Sequence, residues 1–168
     1  MSLLLLAALA AAPTSTYSPL DLEACEIMTV AHAGEGDWAN MRCPGRYGIT
    51  LFINEDDARF DLDAGVDNGE WESAMQLNQL GPQLEWRVDG GRPFAIIYRY
   101  IIPEAVAGGR SLLAVESIGR RGRPGCLIAL IRATPAANVR ARQIADRRAR
   151  TFRCGRDAAE RDSERPGG

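Results

Sequence analysis

An antiparallel, β-rich α+β domain, built as a meander or small barrel with one C-terminal helix packed on it and two disulfides, is the fold class this chain predicts. Three observations lead there. Short apolar and β-branched runs recur between Gly, Asp and Pro; a single amphipathic helical pattern stands near the C-terminus; and there are four cysteines, an even number. At 168 residues, 46% hydrophobic and 25% charged, the chain has globular composition and a length suited to one domain.

The elements follow in order. "MSLLLLAALAAAP" carries an apolar run from Leu3 to Ala12 that ends in small residues. It reads as a signal peptide over residues 1–12 with cleavage near Ala10, too short to span a bilayer, which needs roughly 20 apolar residues. "LEAC", Leu22 to Cys25, only faintly resembles a lipid-attachment box, because polar residues precede it. Residues 17–155 are expected to form the single domain. Its strand candidates are Cys25 to Ala33, Tyr47 to Ile53, Ala58 to Leu62, Leu84 to Val88, Phe94 to Ile102, Leu112 to Ile118 and Cys126 to Ala133.

Two hairpins have internal logic. Cys25 and Cys43 are equidistant from Gly34, so a symmetric hairpin brings their Cα atoms to the roughly 5.5 Å a disulfide requires. In "LEWRVDGGRPFAIIYRY" a loop centred on Gly90 sets Trp86 opposite Phe94. Alternation there puts Leu84, Trp86 and Val88 on one face, with Glu85 and Arg87 on the other. Trp86 is thereby a core residue.

"TPAANVRARQIADRRARTF" supplies the helix, with Thr134 as N-cap and Pro135 at the first helical position. Ala137, Ala141, Ile144, Ala145 and Phe152 form its apolar stripe. Arg148 falls inside that stripe, where it must snorkel or meet a carboxylate. The strand from Cys126 covers about 23 Å and a helix folded back covers about 26 Å. Cys154 therefore returns to Cys126, and the expected pairing is Cys25 with Cys43 and Cys126 with Cys154. Residues 156–168, polar and charged, are expected to be a disordered tail.

Three stretches, "GDWANMRCPGRYGITLFINEDDARFDL", "LEWRVDGGRPFAIIYRY" and "NVRARQIADRRARTFRCG", together resemble a group of small exported bacterial proteins with no assigned function. The resemblance covers most of the mature chain and rests on glycines, paired cysteines and a core Trp. It implies export and carries over no catalytic residue.

Charge is unevenly placed: fifteen Asp and Glu against four Arg over residues 1–90, and seven against sixteen over 91–168, with no Lys anywhere. A coding bias toward Arg accounts for the missing lysines; a charge run is ordinarily a solvated face. "NEDDARFDLDAGVDNGEWE", Asn54 to Glu72, holds eight carboxylates. Counted as a calcium loop from Asp61, it places Asp63, Asp67 and Glu72 at ligand positions, yet Val66 sits where the sharp turn needs Gly. The stretch reads as a solvated connection, with calcium at Asp61, Asp63, Asp67 and Glu72 the weaker alternative. Carboxylate hydrolysis by members of the set Glu55, Asp57, Glu70 and Glu85 would need two of them across a cleft. His32 is the only imidazole, and no G-x-S-x-G elbow accompanies it.

The basic candidates are Arg120, Arg121 and Arg123 in "GRRGRPG", with Arg140 and Arg147 on the helix. Their bidentate forks suit an anionic partner. Without interleaved aromatics they do not suit nucleic acid, and an acidic protein or anionic envelope polymer is the expected partner. No cofactor, resident metal or transmembrane segment is expected. The chain thus reads as a periplasmic or secreted, non-enzymatic binding module, with a small carboxylate-dependent hydrolase or a calcium-dependent structural module as the alternative.

Overall fold

The computed structural model of the protein describes residues 12–74, 76–104 and 109–162. Nearly all of the expected signal peptide lies outside that range, as does the tail from 163 onward. Among the described residues the strands are β1 (Thr14–Pro19), β2 (Glu26–Val30), β3 (Trp38–Pro44), β4 (Thr50–Asp56), β5 (Arg59–Ala64), β6 (Gln79–Leu80), β7 (Gln83–Asp89), β8 (Arg92–Ile101), β9 (Ser111–Ser117), β10 (Leu127–Arg132) and β11 (Glu160–Arg161), with helix α1 at Ala137–Arg148. They form an antiparallel sheet β2-β3-β4-β5 and a larger sheet β1-β7-β8-β9-β10-β11, to which β6 adds beside β8. Of the two expected architectures the meander is the one adopted, in two open sheets.

Alternation in the larger sheet separates two apolar layers. Leu84, Trp86, Ile96, Tyr98 and Tyr100 pack with Leu51, Ile53 and Leu62 of the smaller sheet. Ala95, Ile97, Val115, Ile128 and Ile131 pack against Ala141, Ile144 and Ala145 of α1. The predicted helical stripe is the buried one, and Phe152 closes it. Arg148 does snorkel: its guanidinium lies 4.9 Å from the Phe152 ring centre and donates to the Ala158 carbonyl, not to a carboxylate.

Both disulfides form as expected, Cys25–Cys43 with Cα atoms 4.2 Å apart and Cys126–Cys154 at 5.8 Å. Beside the first, Glu26 faces Arg42 and Ile27 faces Met41, the symmetric register about Gly34; a bulge shifts it only beyond Ile27. With its sulfur in this bridge, Cys25 is not a lipid-attachment site.

Three expectations need correction. Trp86 pairs with Ile96, not Phe94, because the turn has two residues, Gly90 and Gly91, both at positive φ, and a bulge then displaces Phe94. The faces survive the slip: Trp86 is fully buried and donates to Ser18 Oγ at 2.8 Å. Thr134 does not cap α1 with its side chain; it opens the turn that precedes the helix, its carbonyl accepting from Ala137 N–H at 2.9 Å, and Ala136 takes the cap position. The expected disordered tail is ordered to Asp162: β11 pairs in parallel with Ala129 and Leu130 of β10, and Arg140 holds Glu160 and Asp162 by ion pairs.

Candidate functional site

The larger sheet, the end of α1 and the β9–β10 connection meet around a cleft of about 580 Å³. The β7–β8 turn supplies Asp89 and Arg92; the connection supplies Arg120 and Arg123; and the residue after the helical cap, Arg150, closes the wall, with Phe94 at the floor. Phe94 reaches this place because the bulge pushes it out of the regular ladder. The cleft therefore gathers four guanidinium groups from three separate parts of the chain around one carboxylate.

These arginines are not equivalent. Arg150 pairs with Asp89, and its guanidinium stacks 4.5 Å from the Phe94 ring centre. Arg123 donates to the Arg150 and Phe152 carbonyls at 3.0 and 3.3 Å, completing the C-terminal end of the helical segment. The Cys126–Cys154 bridge fixes the chain just beyond, with Cys154 Sγ 3.5 Å from the Pro124 carbonyl. Arg92 and Arg120 are exposed and have no side-chain hydrogen bond or ion pair to another described residue. Two arginines thus build the wall, and two face the cleft with their forks uncommitted.

Of the five sequence candidates, Arg120 and Arg123 line this cleft. Arg121 is exposed on the same connection and Arg147 is exposed on α1, both outside the lining. Arg140 is committed to Glu160 and Asp162 of the tail, which hold its pKa above the usual guanidinium range. Arg92 and Arg150 are not among those five; only the tertiary fold brings the "DGG" turn and the helix end together.

The acidic stretch holds a different constellation. Asp61 and Asp63, two apart on β5, are buried, and Glu72 is half-buried on the connection that follows. Each accepts a backbone amide: Asp61 Oδ1 from Glu72 at 3.1 Å, Asp63 Oδ2 from Asn68 at 3.1 Å, and Glu72 Oε2 from Leu127 at 2.8 Å. A fourth carboxyl that the sequence did not single out, Glu116 of β9, accepts from Ala64 N–H at 2.9 Å and from the Tyr98 hydroxyl at 3.3 Å. Gly65 permits the close approach: at φ +87°, an added Cβ would fall 2.2 Å from the Gly119 carbonyl oxygen.

Burial dominates the electrostatics here. It pushes the Asp61 carboxyl up to about 7 and that of Asp63 to about 8, reinforced by neighbouring carboxylates and partly opposed by the backbone amides. Burial also raises Glu72, and it carries Glu116 well above the usual carboxylate range. Asp67, by contrast, is exposed and serves Gly69 N–H in a local turn at 2.9 Å. Among the described residues, no three His, Cys, Asp or Glu side chains converge in a way that could hold a metal ion.

The carboxylates considered for hydrolysis stand apart in role. Glu55 accepts from Ala58 N–H in the β4–β5 turn, Asp57 and Glu70 are exposed, and Glu85 lies buried with Arg142. His32 is exposed beside Glu35, which accepts from its backbone N–H. No protein family, curated protein or solved structure matches the chain. Among the described residues, no helix is long and apolar enough to cross a membrane.

Proposed function

We propose that the protein is an exported, non-enzymatic binding module of the cell envelope whose arginine-lined cleft takes a carboxylate or phosphate group presented by a partner protein or an anionic envelope polymer. The observation that carries this reading is the pair Arg92 and Arg120, uncommitted and lining one cleft together with the structural Arg123 and Arg150. A planar guanidinium offers two parallel donors to an oxyanion. Arg123 and Arg150, already engaged, keep the cleft positively charged without having to move. Two disulfides are what an oxidising compartment allows a chain to keep, and the apolar run at the N-terminus supports the same destination.

The test is calorimetric titration of the mature protein with two probes, linear polyphosphate and poly-glutamate, at two salt concentrations. Arg92→Ala with Arg120→Ala should weaken binding at least about ten-fold, the loss of one good charge-assisted contact, and should flatten the salt dependence. The melting temperature should not change. Arg121→Ala with Arg147→Ala serves as the control and should bind as the native chain does. Equal weakening by both pairs would mean that the basic half attracts anions diffusely and that the cleft has no special part in it.

A further inference from the structure

The joint between the smaller sheet and the rest of the molecule holds four carboxyls and, among the described residues, no direct ion pair. Asp61, Asp63, Glu72 and Glu116 are absent from every salt bridge among the described residues. Asp61 Oδ2 is, moreover, the only fully buried side-chain oxygen or nitrogen among the described residues that lacks a hydrogen-bond partner. An ionised carboxylate in that position would be costly, because a buried charge requires both a counter-charge and hydrogen bonds. Something must neutralise the group. A resident cation fits poorly, since no three of the carboxylates converge. A proton fits each of them singly.

The groups that face the cluster add little positive charge. From β8 come Tyr98 and Tyr100, whose hydroxyls lie 3.2 Å apart and which burial keeps neutral. From the 65–74 connection come Asp67 and the amide of Asn68, and Glu70 stands near Glu72. Arg161 of β11 acts on Glu72 at a distance, without an ion pair. Ser73 and Asn78 complete the polar surround through hydrogen bonds to β5 and to each other. The carboxyls meanwhile tie the parts together: Glu116 grips Ala64, Glu72 grips Leu127, and Asn68 donates to both Glu72 and the Gly125 carbonyl.

We propose that protons hold this joint: with its carboxyls protonated the 65–74 connection stays clamped between β5 and the β9–β10 connection, and with the protons removed the like charges part it. The inference stands on its own, whatever the cleft binds. Its sign follows from the raised pKa values. The folded chain binds protons that the unfolded chain, with carboxyls near 4, has already released. The stability they contribute is complete below about pH 4 and is lost as pH rises through about 7 and 8, where Asp61 and Asp63 ionise. The single histidine, His32, is exposed and stands outside the joint.

Thermal melts of the mature protein at pH 5.5 and pH 8.5 test the proposal. The expected result is a melting temperature lower by about 8 °C or more at pH 8.5. Asp63→Asn with Glu116→Gln, which imitates the protonated groups, should remove most of that difference by raising the value at pH 8.5. A melting temperature that is flat or rises with pH would overturn the idea, as would a double variant that keeps the native slope. So would recovery of the native chain at pH 8.5 on adding calcium chloride alone, which would make the neutralising species a metal. If the double variant does not fold, amide exchange of the native chain decides. Protection lost above neutrality at Ala64, Asn68, Glu72 and Leu127 ahead of the α1 amides supports the proton clamp, and uniform loss refutes it.

Discussion

Beneath α1 the larger sheet carries Glu85 and Arg87 two residues apart on one face of β7, and each meets its opposite on the helix. Arg87 reaches Asp146 at 2.7 Å and Glu85 reaches Arg142 at 2.6 Å, with Ser15 of β1 bonded to both β7 side chains. At the joint with the smaller sheet, Asp61, Asp63 and Glu116 are buried as deeply, with Glu72 half-buried beside them, and none of the four meets such a partner. Both regions fasten one layer to the next by polar groups, but they differ in what neutralises those groups. An ion pair brings its own counter-charge, so its geometry persists over any pH at which both members are ionised. A cluster of acids takes its neutrality from solvent protons, and its strength becomes a function of pH. The disulfides follow the same division. Cys126–Cys154 staples the segment beyond the helix to the start of β10, Cys25–Cys43 staples β2 to β3, and neither crosses the joint.

The largest effect should come from the staple at the paired side. Cys126→Ser with Cys154→Ser frees a loop with a sequence separation of 28 and should cost about 3 to 4 kcal/mol, chiefly through the unfolded chain. Calorimetric melts should fall by about 10 °C, and by the same amount at pH 5.5 and pH 8.5. A drop confined to one pH would show that staple and joint are not independent.

Arg87→Ala should come next. Arg87 is 5% exposed, and its loss strands Asp146 and empties the bonds to Ser15 and the Pro13 carbonyl. A cost of about 3 kcal/mol by denaturant unfolding is expected, the lower end for a broken buried pair. Arg87→Met with Asp146→Leu should restore most of it. Glu116→Gln, which removes a carboxylate as deeply buried, should by contrast cost nothing at pH 8.5, and a comparable loss there would erase the distinction between the two regions.

How far these regions could be read from the sequence depends on how local their causes are. The pairing of the cysteines was legible because hairpin symmetry and strand and helix lengths are local quantities. The buried stripe of α1 was legible through its period. The Trp86 register was not, since one bulged residue at Phe94 shifts it without changing the apolar pattern. Strand β1, "TSTYSP", has no apolar alternation to announce it; its Ser15, Thr16 and Ser18 hydroxyls bond to Glu85, Tyr47 and Trp86 instead. Asp61 and Asp63 read as solvated because nothing nearby in sequence covers them. Their environment comes from Glu116, Leu127 and Tyr98, more than thirty residues away. Half of the cleft was legible in "GRRGRPG", and the half supplied by Arg92 and Arg150 depended on the fold.

The smallest effect concerns the tail, where charge pairing works at the surface. Glu160 and Asp162 have the composition of a disordered segment, yet Arg140 binds both, and Asp162 N–H donates to the Leu130 carbonyl at 3.0 Å. These groups are partly exposed, so solvent screening limits the pairs to about 1 kcal/mol at most. Arg140→Gln should therefore leave the melting temperature within about 3 °C of native. It should raise amide exchange at Asp162 about five-fold, because β11 has only two paired residues to hold it once the charge is gone. Unchanged exchange at Asp162 would mean that backbone pairing suffices to order the tail. The ionic fastening would then be confined to the buried face of α1, and the contrast between the two regions would reduce to one of burial.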